Sequence, residues 1–118
     1  SPHSGRIEVM AGDFFREPLP AADLFALGRI LHDWREEKIR SLLGKVFERL
    51  PSGGAILLAE KLLLEDKTGP LPALLQSLNM LVCTEGRERT IGEVARFSAA
   101  DAAGNPDRIT TAEPLFYL

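Results

Sequence analysis

Four ionisable side chains of this sequence could take part in moving a proton: His32, Asp33, Glu60 and Glu88. A histidine can accept a proton from a substrate hydroxyl when a carboxylate holds its ring and stabilises the imidazolium that forms. Glu60, Glu88 and the adjacent Asp33 are the carboxylates available for this role. The residues therefore indicate general base catalysis, although a structural histidine beside a helix-capping Asp33 explains the same pattern.

A second group could recognise a nucleotide-like ligand. Asp13 follows Gly12 and precedes Phe14. Its carboxylate could accept hydrogen bonds from an adenine amino group or a ribose hydroxyl, with Phe14 packed on the base. An ordinary turn is the competing interpretation, because glycine and aspartate are common turn residues.

Asn79 and Cys83 form a third pair, four residues apart on what reads as a helix. They would share one helix face, which could line a pocket. A buried amide satisfied by a nearby loop, beside a small core cysteine, is the simpler explanation of both residues. Glu60 likewise could be a solvated strand end. No residue spacing is typical of a zinc site, and there is no Walker or GxGxxG loop, so we expect no metal.

The elements that would position these groups form a strand–helix–strand pattern. Residues 23–31 and 55–60 are almost wholly apolar, as in strands covered on both faces. Residues 35–50 between them repeat apolar side chains at i, i+3, i+4 and i+7, which predicts a helix. Tight joins predict that the two strands are parallel neighbours. His32 and Glu60 would then lie at the sheet edge where ligands bind in open α/β sheets.

The rest of the chain continues this α/β pattern. A strand over residues 7–11 would lead into Asp13, and residues 62–67 read as a loop. An apolar helix over 70–84 is predicted to be buried on several sides or to lie in an interface. A charged turn at residues 85–89 precedes a further helix. The remaining predictions are a helix from Thr90 to Ala100, strands over 108–112 and 115–118, and capping boxes at Asp33/Glu36 and Thr90/Glu93.

Composition excludes several classes of protein. The formal net charge is −3 and no basic stripe is present, so nucleic acid is not an expected partner. The single cysteine, Cys83, cannot form an internal disulfide and fits a reducing compartment. No apolar run approaches the roughly 18–20 residues of a membrane span. Residues 1–5 lack the apolar segment of a signal peptide.

Four motifs, in order and at suitable separations, resemble those of the small-molecule O-methyltransferases that depend on S-adenosylmethionine (SAM). The resemblance extends from about Arg6 to Val94 and is closest to the branch that methylates N-acetylserotonin to melatonin, or to a paralogous branch. The motifs are Gly12–Phe15, Arg29–Trp34, residues 51–54 with Glu60, and Ser77–Thr90.

The resemblance implies a doubly wound, Rossmann-like methyltransferase sheet, of which this chain would be the later half, mostly parallel with an antiparallel last strand. It implies SAM as cofactor and a hydroxylated aromatic molecule as substrate. It also implies residue roles. His32 would be the general base, flanked by Glu60 and Glu88; the cofactor would meet Asp13, Phe14 and Arg29, and the substrate would meet Asp33, Asn79 and Cys83.

Three departures from the family pattern shape the expectation. The glycine-rich cofactor loop and the N-terminal dimerisation domain of the family have no counterpart in these 118 residues. Cys83 stands where the acetylserotonin branch would carry a glutamine. We therefore expect the C-terminal portion of a catalytic domain, inactive by itself and derived from a cytoplasmic homodimer. A non-catalytic interaction module, or a methyltransferase for another phenol, remains an alternative.

Overall fold

The computed structural model describes residues 4–101 and the side chains of residues 5–97. The predicted helices are confirmed, each within one residue of its expected bounds. The predicted strands at 108–112 and 115–118, and with them the antiparallel last strand, lie outside the described residues. Within the described range the strands and α-helices are β1 Leu24–Gly28, α1 Glu36–Arg49, β2 Ala55–Ala59, β3 Leu62–Leu63, α2 Leu71–Cys83, β4 Arg89–Thr90 and α3 Ile91–Asp101.

β1 and β2 pair in parallel, and α1 is the connection between them. Leu24 lies opposite Ala55 at the start of the pair, and Gly28 lies opposite Ala59 at its end. Parallel neighbours need a crossover of about a dozen residues, which a helix of this length supplies. Both strands therefore end at one edge of the sheet, as the sequence predicts.

The core lies between α1, α3 and one face of the strand pair. α1 buries Ile39, Leu42, Leu43 and Val46, and Phe97 of α3 packs against this apolar stripe. Along both strands the side chains alternate between half-buried and exposed. Leu24 and Leu57 are 57% and 56% exposed, so the prediction that both faces are covered is wrong for the described residues. α1 and α3 pack on the other face.

Residues 7–11 do not form the predicted strand. A strand is stable only when a neighbour takes up its backbone hydrogen bonds. No strand of the described part of the chain pairs with this segment, and Val9 and Met10 are 89% and 67% exposed. These residues have the apolar pattern of a strand, but the described part of the chain provides no strand for them to pair with. Asp13 therefore follows a segment without regular secondary structure and does not close a strand.

A second parallel pair joins β3 to β4, where the sequence predicted a loop and a charged turn. Leu62 lies opposite Arg89, and Leu63 lies opposite Thr90. Strands of two residues are too short to show any periodicity in a sequence. This pair fixes the chain that carries Glu88 next to the chain that follows Glu60.

The capping box at the start of α3 is confirmed. The Glu93 amide donates to Thr90 Oγ1 at 3.2 Å, and the Thr90 amide donates to Glu93 Oε2 at 2.9 Å. Burial opposes ionisation of Glu93, but hydrogen bonds from Lys67, the Thr90 amide and Arg87 outweigh it and lower its pKa to about 2. The carboxylate thus ties the start of α3 to two basic side chains.

The capping box predicted at Asp33 and Glu36 is wrong. Arg35 is the N-cap of α1, and no side chain caps the helix there. Asp33 instead belongs to a 3-10 turn, Leu31–Asp33, that precedes the helix. Its carboxylate lies beside the ring of His32. Asp33 is therefore part of the site and not of the helix start.

α2 is less buried than its composition suggests. Ala73 and Met80 are buried, whereas its leucines on the outer side are 59% to 72% exposed. The expectation of burial on several sides is therefore wrong within the described chain. None of the described helices combines the length and the apolar character that crossing a membrane requires.

Candidate active site

The site is built around residues 30–34, called here the His32 turn. β1 ends where the Arg29 amide donates to the carbonyl of Ala59 at 2.9 Å, and Arg29 has a φ of 53°. That left-handed conformation is uncommon for a residue with a side chain and redirects the chain sharply. The 3-10 turn follows at once, and His32 within it is only 5% exposed.

Glu60 holds the backbone at the start of this turn. It follows β2, so the parallel register brings it to the end of β1. Its Oε1 accepts hydrogen bonds from the amides of Ile30 at 2.9 Å and Leu31 at 2.8 Å. Burial raises the pKa of Glu60, although these two hydrogen bonds and the nearby His32 act in the opposite direction.

Glu88 holds the imidazole ring itself. Its Oε1 lies 2.9 Å from Nδ1 of His32, and Glu88 is 1% exposed. An ionised Glu88 accepts the proton of Nδ1–H, which leaves Nε2 as the nitrogen with a free lone pair. Glu60 Oε2 lies 3.9 Å from the same Nδ1. The structure thus brings together three of the four residues that the sequence singled out for proton transfer.

Nε2 of His32 faces the partly open side of the turn. Asp33 Oδ1 lies 3.5 Å from it, and the Asp33 side chain is 36% exposed. A group that approaches from this side can exchange a proton with Nε2. The arrangement is that of a buried, oriented base with one accessible nitrogen.

Two further residues hold the His32 turn, and neither was a sequence candidate. Arg89 is 6% exposed and donates to the carbonyls of Leu31 and Trp34. Gly86 packs so closely that a Cβ there would lie 2.6 Å from the Asp33 carbonyl carbon and from the Trp34 nitrogen. The charged residues 85–89 predicted a turn, and nothing in their sequence indicated these contacts.

The predicted cofactor residues lie in a separate loop, residues 13–17, called here the Asp13 turn. The Asp13 carboxylate accepts the Phe15 amide at 2.9 Å, and its side chain remains 48% exposed. Phe14 is 36% exposed. An aromatic contact chain links this turn to the His32 turn: Phe14 packs on Phe15, whose ring centroid lies 5.1 Å from that of Trp34.

The other predicted ligand contacts are more scattered. Arg29 is exposed at the end of β1. Asn79 and Cys83 share one face of α2, where Cys83 Sγ lies 3.6 Å from Asn79 Oδ1, and both are exposed. Neither is hydrogen-bonded to the His32 cluster, although α2 packs beside the 3-10 turn. The structure joins Asp33 to His32, whereas Arg29, Asn79 and Cys83 are exposed and have no hydrogen bond to His32, Glu60 or Glu88.

Potential metal ligands do occur in this cluster. His32, Glu60 and Glu88 each offer an atom, all within 4.8 Å of one another. The geometry favours a hydrogen-bonded network over a metal site, because Nδ1 of His32 is already bonded to Glu88 and Glu60 Oε1 already accepts two amides. The neighbouring cavity of about 10 Å³ is also lined by the cationic Arg89.

Comparison with protein families agrees with this geometry. The family model for the O-methyltransferase domain matches residues 1–104. The chain belongs to the O-methyltransferase domain family. The resemblance inferred from the motifs is thereby confirmed, together with the Rossmann-like methyltransferase fold that it implied.

Two curated relatives illustrate the range of this family. The chain is 53% identical over 92 residues to a human protein described as a probable bifunctional dTTP/UTP pyrophosphatase/methyltransferase, a match that covers 78% of the chain and 15% of that protein. It is 48% identical over 99 residues to the acetylserotonin O-methyltransferase of Gallus gallus. This match covers 84% of the chain and 29% of that protein. The chain therefore spans less than a third of either relative.

A solved structure extends the similarity to three dimensions. The crystal structure of human N-acetylserotonin methyltransferase in complex with SAM superimposes with a TM-score of 0.76 at 48% identity. The match covers 78% of this chain and 27% of that one. The described elements are thus one part of a larger methyltransferase architecture in that protein.

Proposed function

We propose that the protein carrying this sequence transfers a methyl group from SAM to the hydroxyl of an aromatic substrate, with His32 as general base. The observation that carries the proposal is the buried contact of 2.9 Å between Nδ1 of His32 and Glu88, which leaves Nε2 free to take a proton. Membership of the O-methyltransferase family supplies the reaction class.

The Asp13 turn fits one part of the SAM molecule. An exposed carboxylate beside a partly exposed ring is suited to the hydroxyls and base of an adenosyl group, and Asp13 and Phe14 provide this pair. Arg29, exposed at the end of β1, is the third residue proposed for this role. SAM, when bound, supplies an electrophilic methyl group on a positively charged sulfur.

The residues of the chain then act on the acceptor. As the substrate oxygen forms its bond to the methyl carbon and the carbon–sulfur bond breaks, the hydroxyl proton passes to Nε2 of His32. Glu88 stabilises the imidazolium that results, because their contact is charge-assisted and buried. Glu60 keeps the turn in position through the two amides that it binds. Positioning and deprotonation are the main requirements of such a displacement.

N-acetylserotonin is the proposed substrate, with melatonin as product. The relatives named for acetylserotonin support this assignment at 48% identity. Asp33, Asn79 and Cys83 are the proposed substrate contacts. Cys83 favours a second candidate, another phenol, because its exposed thiol is a poor partner for a polar acetyl-amide group.

The wider context is part of the same proposal. We propose that these residues form the C-terminal portion of a catalytic domain, and that the glycine-rich cofactor loop and a dimerisation domain belong to the remainder of a longer protein. The relatives, three or more times longer than the matched segment, support this organisation. A cytoplasmic homodimer is the corresponding assembly.

The test uses the longest natural protein that carries this sequence, purified and titrated calorimetrically with S-adenosylhomocysteine. Methyl transfer is then assayed with N-acetylserotonin and a panel of phenols. We expect saturable binding and transfer to N-acetylserotonin, with Cys83→Gln lowering the Michaelis constant by roughly the worth of one hydrogen bond, about 0.5–1.5 kcal/mol. Transfer only to another phenol supports the second candidate. Binding without any transfer contradicts both and indicates a non-catalytic module.

A further inference from the structure

Arg89 is buried beneath the His32 turn, where its guanidinium serves backbone carbonyls. Nη1 donates to the Leu31 carbonyl at 3.0 Å and to the Arg87 carbonyl at 3.1 Å, and Nη2 donates to the Trp34 carbonyl at 2.9 Å. A planar guanidinium presents its donors in a fixed fork, which suits it to bridge acceptors at fixed separation. Leu31 and Trp34 are thus held on either side of His32.

Two side chains of opposite charge, Glu60 and Arg89, hydrogen-bond to the backbone of the His32 turn. Glu60 accepts the amides of Ile30 and Leu31, and Arg89 donates to the carbonyls of Leu31 and Trp34. The two side chains come from different strand ends, after β2 and in β4. Together they fix the backbone at both ends of the segment that carries His32.

The ring contact of His32 depends on this backbone. Glu88 precedes Arg89 directly and belongs to the same segment, so one short stretch holds both the ring and its backbone. A shift of the turn by a fraction of an ångström would misalign Nδ1 with Glu88 and redirect Nε2. In active sites a misplacement of about 1 Å can cost roughly 10²-fold in rate.

We propose that Arg89 is a positioning residue for His32, fixing the turn so that Nδ1 meets Glu88 and Nε2 points to the acceptor. The effect of this positioning on methyl transfer rests on the proposed function, whereas its effect on the orientation of the His32 ring does not. In this role Arg89 acts through the backbone carbonyls of Leu31 and Trp34.

A purely packing role is the alternative. The Arg89 guanidinium lies 5.5 Å from the Phe97 ring centroid, where it could stabilise the core by a cation–π contact. Arg40 lies over the same ring at 5.2 Å, and its guanidinium is hydrogen-bonded to Glu36 on its own helix. Arg40→Met therefore removes a comparable Phe97 contact and leaves the His32 turn intact, which makes it a matched control.

The experiment compares Arg89→Met, Arg89→Lys and Arg40→Met in the longest natural protein that carries this sequence. The first readout is the solvent exchange rate of the His32 Nδ1 proton, followed by ¹⁵N-edited NMR. We expect the exchange to speed up at least tenfold in Arg89→Met and to stay within about twofold of the parent in Arg40→Met. Arg89→Lys, which keeps the charge but loses the fork, should fall between them.

The second readout is the split between kcat and KM. We expect kcat to fall roughly 10- to 100-fold in Arg89→Met, with the KM for SAM within about twofold. If Arg89→Met does not fold, Arg89→Lys decides by the same two measures. Parental exchange and parental kcat in the folded Arg89 variant, or an equal loss in Arg40→Met, would overturn the proposal. If the parent itself transfers no methyl group, the proposed function fails while the NMR comparison still decides the role of Arg89.

Discussion

The His32 turn and the Asp13 turn are two loops of one site built on opposite principles. Leu31 and His32 at the centre of the His32 turn are buried, and the side chains that hold the turn lie 29 to 58 positions away in the sequence. The Asp13 turn is exposed, and its carboxylate and carbonyl bond to residues two to four positions away. Lys45 of α1 supplies its distant hydrogen bonds, to the carbonyls of Phe14 and Glu17.

This difference suits the two tasks proposed for the loops. A base must keep one geometry throughout the reaction, and buried charged partners enforce it. A ligand-binding surface must be reachable, so Asp13 and Phe14 keep part of their surface in solvent. Substitutions in the first loop should therefore affect the chemical step, and substitutions in the second should affect binding.

The largest expected effect comes from His32→Ala. Loss of the base should lower kcat by roughly 10² to 10⁴ and leave the affinity for S-adenosylhomocysteine unchanged. Steady-state kinetics and calorimetry on the longest natural protein measure the two quantities. Asp13→Ala is the counterpart, for which we expect weaker binding and a nearly parental kcat at saturation. A parental kcat in His32→Ala would remove the histidine from the mechanism.

The close approach at Gly86 predicts the next largest effect. A methyl group in Gly86→Ala would collide with the backbone of the His32 turn, and we expect a loss of about 1–3 kcal/mol in the free energy of unfolding. Gly44→Ala is the matched control, because a Cβ there meets no atom within 4 Å, and in α1 it should add up to about 1 kcal/mol. Urea denaturation of the three proteins gives the comparison. Equal stability of both variants would contradict a tight contact at Gly86.

Lys45→Met probes the two hydrogen bonds that Lys45 donates from α1 to the Asp13 turn. Removal of two exposed hydrogen bonds should cost about 0.5–1.5 kcal/mol and speed amide exchange of Arg16 and Glu17, whose amides bond to the Asp13 carbonyl. Arg49→Met is the control, because Arg49 lies on the same helix and lines a surface cavity together with Lys45. Faster exchange within the His32 turn instead would show that the two loops are not independent.

The smallest expected effect is a pH dependence at Glu60. Burial raises its pKa above the ordinary 4.5, so its ionised form lowers the free energy of unfolding as the pH rises above that value. Glu60→Gln keeps an acceptor oxygen for the two amides and removes the charge. We expect the variant to unfold with a higher free energy than the parent at pH 8, and the difference to vanish near pH 4. A gain that is constant with pH would disprove this origin.

The sequence predicted those parts that local periodicity governs. The apolar stripe of α1 and the tight joins on either side led to the parallel strand pair, and hence to His32 and Glu60 at one edge. Glu88 was a candidate from its residue type and from the family resemblance. Its contact with Nδ1 is a fact of tertiary structure that no spacing reveals.

The errors have a common physical cause. Residues 7–11 have the composition of a strand, but a strand exists only with a partner, which periodicity does not supply. β3 and β4 pair with each other but are too short to show periodicity, so the sequence did not predict them. Arg89 looked like one more charge in a polar turn because two of its carbonyl acceptors, Leu31 and Trp34, lie more than 50 positions earlier.

The long sequence separation of the contacts around His32 also governs the order of folding. His32 and Glu88 are 56 positions apart, and Leu31 and Arg89 are 58 apart. Contacts of such separation require loop closure that helices and tight turns do not, and they form late and slowly. At about 5–20 residues per second, a ribosome needs several seconds to deliver Arg89 after His32. During that interval the nascent chain can hold α1, but the histidine has neither of its partners from the later segment.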